Sequence, residues 1–206
     1  MVRALDEQSR ETAEYLNALT LRSQELLGSH PVNKKRIAEG KDPANSVWLW
    51  SPGYRPKMET LNERYGIGEG SVISAVDLIK GIGKLAGLNP IEVVGATGLH
   101  DTNYEGKAEA AIKAPTQEDF AFLHIEASDE AGHEGKAELK VKTIEYLDSR
   151  VGGPILNELS GWDEPVTIAL LPDHPTPCEG RTHTAEPVPF IIYKPGTMPD
   201  NVTVYD

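Results

Sequence analysis

Apolar residues along this chain recur with two different periods. Between residues 4 and 27 they form a thin stripe (Leu16, Leu19, Leu26, Leu27) on a mostly polar segment that stops at Gly28, which predicts a helix. Residues 28–45, "GSHPVNKKRIAEGKDPAN", carry two prolines and read as a linker or loop. From residue 46 onward, short apolar runs alternate with helical spacing. "SVWLWS" (46–51), the start of 71–87, "IEVV" (91–94), "FAFLHIE" (120–126), "VTIALL" (166–171) and "VPFIIY" (188–193) read as strands. The last two are apolar throughout, as interior strands are. Residues 56–66, the remainder of 71–87, 103–114 and 135–159 read as helices, the last from Leu139, Ile144, Leu147, Val151 and Ile155. Such alternation predicts an α/β layered fold with a largely parallel sheet flanked by helices. The polar helix and basic linker at the start fit that pattern poorly.

Composition narrows the class. A length of 206 residues suffices for one core, or a core with an appendage. A net charge of -12 argues against nucleic acid or an anionic membrane as the main partner. The single cysteine, Cys178, rules out an internal disulfide framework and fits a reducing compartment. No apolar run approaches the roughly 20 residues of a membrane helix, and the first residues lack the apolar stretch of a signal peptide. A cytoplasmic protein is expected.

Titratable residues crowd the positions just after two strands, where sites gather in open α/β sheets. "HIEASDEAGHEG" (124–135) holds Asp129 and His133, four apart and so on one face of a helical turn. "LPDHPTPCEGRTHT" (171–184) holds Asp173, His174 and His183, with Pro175 and Pro177 stiffening the return. Consecutive residues in extended chain point to opposite sides, so Asp173 and His174 would serve two neighbouring ions more easily than one. Two carboxylates and three imidazoles suit zinc or manganese better than magnesium alone. Paired divalent ions stabilise the attacking and leaving oxygens of a phosphoryl transfer. Taken singly, each residue has a plainer role open to it. A histidine after a strand is more often a structural hydrogen-bonding residue, and an Asp-His pair among prolines is as often a turn. His124, inside its strand, reads as a core histidine with a satisfied hydrogen bond. Glu126, Glu130 and Glu134 read as solvated or as orienting the ligands. His30 and His100 read as surface.

These two stretches, with "GSVISAVDLIKGIG" (70–83) and "GATGLHDTNYEGKA" (95–108), resemble the archaeal-type cofactor-independent phosphoglycerate mutases of the alkaline phosphatase superfamily. The resemblance implies interconversion of 3-phosphoglycerate and 2-phosphoglycerate through a phosphoserine, without 2,3-bisphosphoglycerate. It also implies two divalent ions (Mn2+, Zn2+ or Mg2+), one held by Asp129, His133 and His183, the other by Asp173 and His174. The family completes the second ion with an aspartate in a "GDGM"-like context and with the nucleophilic serine. Neither context occurs here. Ser71, Ser74 and Ser128 do not match the nucleophile, and Ser128 reads better as a cap for the turn presenting Asp129. The catalytic serine is therefore unknown. The chain is expected to be the C-terminal part of such an enzyme, with an alkaline phosphatase-like fold incomplete at its N-terminus. Residues 1–45 would be the tail of the inserted substrate-binding domain and 46–206 the C-terminal part of the metal-binding domain. Lys80, Arg55 and Arg181 are the candidate cations for the anionic substrate, Lys80 foremost. The alternatives are another phosphotransferase or phosphatase of the superfamily, or a catalytically silent metal-binding fragment. Oligomerisation is left open.

Overall fold

The computed structural model describes residues 1–50 and 53–205. The chain divides into two units, Met1–Pro56 and Lys57–Asp206.

In the first unit the expected helix forms as α1 (Arg10–Gly28), beginning six residues later than its apolar stripe suggested. The expected loop after it instead contains a second helix, α2 (Pro31–Ala38). The imidazole of His30 accepts the backbone N–H of Val32, and Pro31 occupies the first turn, where its missing N–H costs nothing. Asn33, almost fully buried, donates to the carbonyls of Leu27 (2.8 Å) and Ala44 (2.7 Å) and accepts from the Ala44 N–H. That side chain ties the end of α1 to the segment after α2. The strand expected over 46–51 does not form at 46–50, where Trp48 and Trp50 are exposed; Ser51 lies outside the described residues. β-prone residues make a strand only where a ladder partner is present.

The second unit opens with α3 (Leu61–Tyr65), set by a full capping box between Thr60 and Glu63 and stopped by Gly66 at φ 70°. Next come β1 (Gly70–Ile73), α4 (Asp77–Leu85), β2 (Asn89–Ile91), α5 (Tyr104–Lys113) and β3 (Phe120–Leu123). The three strands form a parallel sheet in the order β2-β1-β3, with β1 buried along its whole length. The β2 pairing starts two residues before the expected "IEVV", at Ser71↔Asn89, and Val94 is left exposed. Gly83 explains how α4 lies on β1: a Cβ there would stand 2.5 Å from Val72 Cγ1. Gly83 thus serves close packing, whereas a Cβ at Gly81 would meet nothing within 4 Å.

α6 (Ala127–His133) and α7 (Ala137–Leu147) follow β3, and a π turn over Asp148–Gly152 joins α7 to α8 (Gly153–Leu159). The long helix expected over 135–159 is thus one helical run with a wide turn in it. Pro154 lacks the N–H that an α-helix needs, and the widened turn absorbs the defect. Tyr104, Ala108, Ala127 and Val151 form the core cluster, with Leu123, Ile125, Tyr146, Leu147 and Ile155 packed against it. The two apolar runs expected inside the sheet instead pair with each other, as the antiparallel β4 (Ile168–Leu170) and β5 (Ile191–Tyr193). They are largely exposed. No described helix is long and apolar enough to cross a membrane.

Candidate metal centre

The centre is built where β3 and β4 end. After β3 the chain turns directly into α6, and the four-residue spacing of a helical turn brings Asp129 and His133 together, with Oδ2 of Asp129 3.3 Å from Nε2 of His133. After β4 the chain leaves through Asp173 and His174, loops through two prolines and returns at His183. The Pro175 and Pro177 carbonyls fasten that return, accepting from the Thr184 and Arg181 N–H groups. His183 Nε2 then stands 3.0 Å from His133 Nε2 and 3.6 Å from Asp129 Oδ1.

These spacings fit an ion. Donors at about 2.0–2.2 Å from a tetrahedral zinc stand roughly 3.4 Å apart; here the two imidazole nitrogens are 3.0 Å apart, Asp129 Oδ2 is 3.3 Å from His133 and Asp129 Oδ1 is 3.6 Å from His183. The tautomer is set as well. Nδ1 of His133 faces the Arg181 carbonyl at 3.0 Å, an arrangement that needs the ring to donate there, which leaves the Nε2 lone pair pointing inward. A lone pair, a second imidazole nitrogen and a carboxylate converging on one point need a proton or a cation between them. The Thr176 hydroxyl donates to Asp129 Oδ1 and also lies 3.3 Å from His174 Nδ1. Thr176 is 2% exposed, and its carbonyl accepts from the Lys140 ammonium at 2.7 Å.

Asp173 and His174 form a second pair. They sit in a bend, and the His174 N–H donates to Asp173 Oδ1, so Asp173 Oδ2 and His174 Nε2 come within 3.4 Å on the same side. The opposed orientation expected for extended chain is therefore corrected: the bend turns both groups toward one position. The His174 ring also lies over that of His183, with centroids 3.7 Å apart.

Burial shapes the surrounding charges. It pushes the Glu126 carboxyl up, helped by the Glu130 and Asp129 charges. It pushes the His124 imidazole down, against the pull of Asp173. Nδ1 of His124 meets the Ser74 hydroxyl at 3.2 Å, and that oxygen accepts from the Val76 N–H, so His124 has the hydrogen bond expected of a core histidine. Ser128 is not the cap of α6: the N-cap position is Glu126, with no side-chain cap bond.

The candidate cations lie in different settings. Lys80 is held by Glu92 at 3.1 Å and Asp77 at 3.2 Å, which raise its pKa. Arg55 is exposed in the first unit. Arg181, at φ 51°, packs its guanidinium over Gly135 and gives its carbonyl to His133. Two contributors have no signal in the ligand pattern. Thr176 hides between the prolines, two residues after His174. Gly132 is required by contact: a Cβ there would stand 2.3 Å from the Thr176 carbonyl.

The sequence profile described as the Metalloenzyme superfamily matches residues 6–204. A 2,3-bisphosphoglycerate-independent phosphoglycerate mutase of Methanosarcina acetivorans is 55% identical over 194 residues, covering 94% of this chain and 49% of that protein. A solved structure from Pyrococcus horikoshii matches with TM-score 0.81 and 35% identity, over 95% of this chain and 50% of that one. The cofactor-independent phosphoglycerate mutase from Thermoplasma acidophilum matches with TM-score 0.56 and 27% identity, over 99% and 48%. The chain spans about half the length of the curated relatives it matches.

Proposed function

The chain belongs to the metalloenzyme superfamily, and from that premise we propose that it supplies the C-terminal half of a phosphoglycerate mutase. That enzyme interconverts 3-phosphoglycerate and 2-phosphoglycerate through a phosphoserine. In this reading Asp129, His133 and His183 hold one divalent ion, and Asp173 with His174 supply part of a second site. Manganese and zinc suit the mixed nitrogen and oxygen donors, with magnesium a third choice. When bound, such ions stabilise negative charge on the transferring phosphoryl oxygens. The residues of this chain aim the donors: Arg181 fixes the His133 tautomer through its carbonyl, and Thr176 orients Asp129. Arg55, Lys80 and Arg181 are the proposed cations for phosphate and carboxylate. Residues 1–45 are proposed as the tail of the substrate-binding domain and 46–206 as part of the metal-binding domain. The enzyme is placed in the cytoplasm and uses no 2,3-bisphosphoglycerate.

The observation that supports this best is the meeting of three donor atoms from two distant stretches, in a chain whose relative at 55% identity carries the mutase name. The Asp173–His174 pair favours a shared site: among the described residues, no third His, Cys, Asp or Glu joins it in a metal-holding group. The remaining ligands and the serine would then come from the half of the fold that these residues do not match. The test is a continuous polypeptide in which this chain replaces the matching half of the M. acetivorans enzyme, assayed with Mn2+ for conversion of 3-phosphoglycerate. Turnover that vanishes on Asp129→Ala is expected. Hydrolysis to glycerate and phosphate in its place would favour the phosphatase reading, and no chemistry in a folded fusion would favour the silent fragment.

A further inference from the structure

His124 is held through one ring nitrogen only. It follows the last paired rung of β1 and β3, Ile73↔Leu123, and its backbone N–H donates to the Ile73 carbonyl, which sets it beside Ser74. Nδ1 lies 3.2 Å from the Ser74 hydroxyl, whose oxygen accepts the Val76 N–H at 3.0 Å. Ser74 is 5% exposed, and among the described residues its O–H has no acceptor besides Nδ1. A buried hydroxyl without an acceptor is costly, so the O–H donates and Nδ1 accepts. Burial holds the ring below its ordinary value, and a neutral imidazole carries one proton. That proton sits on Nε2, where no hydrogen bond forms among the described residues. The half-buried ring stands at the carboxyl end of β3, the edge of a parallel sheet where ligands bind, in the fields of Asp173 and Asp129. Asp173 is the obvious internal acceptor, yet its oxygens are engaged: Oδ1 takes the His174 N–H and Oδ2 lies 3.4 Å from His174 Nε2.

We propose that His124 is a further substrate-binding residue of the metal centre: its Nε2–H donates to an oxygen of the phosphoryl group held there, and Ser74 is the positioning residue that fixes the tautomer. The inference rests on the proposed function for the class of ligand, a phosphate monoester. An uncommitted N–H beside a cluster of cation ligands suits an anionic oxygen, and such a charge-assisted bond is stronger than one between neutral groups. The donor is neutral, so it contributes direction where Arg and Lys contribute charge. The rival role for the same N–H is to orient Asp173 as a ligand, which would act on metal affinity and not on phosphate affinity.

Two measurements test this. Long-range proton–nitrogen NMR on the metal-free 206-residue chain reads the tautomer of His124. The Nε2–H form is expected, and Ser74→Ala should give a mixture of both forms; an Nδ1–H ring in the parent chain would overturn the proposal. Inorganic phosphate is then titrated into the Mn2+-loaded continuous polypeptide described above. His124→Asn keeps a partner for Ser74 and removes the reaching donor, whereas His124→Gln places an amide N–H near the position of Nε2. Phosphate affinity is expected to fall about 10- to 100-fold in the Asn variant and to recover in the Gln variant, with Mn2+ affinity unchanged in both. Parent-like phosphate binding in His124→Asn, or equal loss in both variants, would overturn the proposal. So would a matching loss of Mn2+ affinity, which would assign the N–H to Asp173. Phosphate binding that depends on His124 without mutase turnover would uphold the residue and sink the function; turnover with phosphate binding indifferent to His124→Asn would do the reverse.

Discussion

The Thr176 hydroxyl donates to Oδ1 of Asp129, joining the loop after β4 to the first turn of α6. Asp129 offers its other oxygen toward His133 and the same Oδ1 toward His183, so the threonine fixes the carboxylate at the angle the three-donor site needs. Thr176→Val keeps the shape and removes the donor. Metal affinity should fall about 10- to 100-fold, the usual loss when an orienting partner of a ligand is removed. Competitive titration against a chromophoric chelator measures it, and an unchanged affinity would mean that Asp129 is oriented by other contacts.

Gly132 should tolerate no side chain. A Cβ would stand 2.3 Å from the Thr176 carbonyl and 3.1 Å from the Lys140 ammonium. The obstacle at closest range is backbone, which cannot swing aside. Gly132→Ala is expected to cost about 1–3 kcal/mol, as overpacking does, and to weaken metal binding by separating α6 from the loop. Urea denaturation and the same chelator titration read the two effects. Full stability would show that the loop is looser than its bonds suggest.

Arg150 should matter through packing as much as charge. It grips the Glu105 carboxylate with two bonds, 2.5 and 2.8 Å, and lies over the rings of Tyr104 and Tyr146 at 4.6 and 4.7 Å. The ion pair is partly exposed and screened, so most of the expected loss in Arg150→Ala, about 1 kcal/mol, comes from the aromatic contact. Arg150→Met, which keeps apolar bulk, should recover part of it. Equal losses in both variants would assign the effect to the guanidinium charge, over the rings and on Glu105, and not to apolar bulk.

The metal-free chain should lose stability in mild acid through His124. Burial holds its imidazole below the ordinary value of 6.5, while the unfolded chain keeps that value. As the pH falls through 6.5 the unfolded state binds the proton first, so the stability present above that pH is lost toward the lowered folded value. His124→Asn should show a shallower fall between about pH 7 and pH 5 by urea midpoints. Identical slopes would remove His124 as the cause.

The layered architecture and the approach of Asp129 to His133 were legible in the sequence because both depend on local period. Four-residue spacing fixes Asp129 and His133, and strand–helix alternation fixes β1 to α5. The misses share a cause: they depend on partners. "SVWLW" has strand composition and no ladder to join, and "VTIALL" and "VPFIIY" have interior composition on an uncovered hairpin. α2 was hidden because its start rests on His30, a residue seldom read as a cap. Thr176 and Gly132 could not be found from spacing, since their roles exist only once α6 meets the loop after β4.

The most direct test of the metal centre is calorimetric titration of Zn2+ into the 206-residue chain and into Asp129→Ala. The geometry predicts one tight equivalent in the parent chain and its loss in the variant, with the fold unchanged by circular dichroism. Absence of tight binding, or tight binding that survives Asp129→Ala, would contradict the three-residue centre.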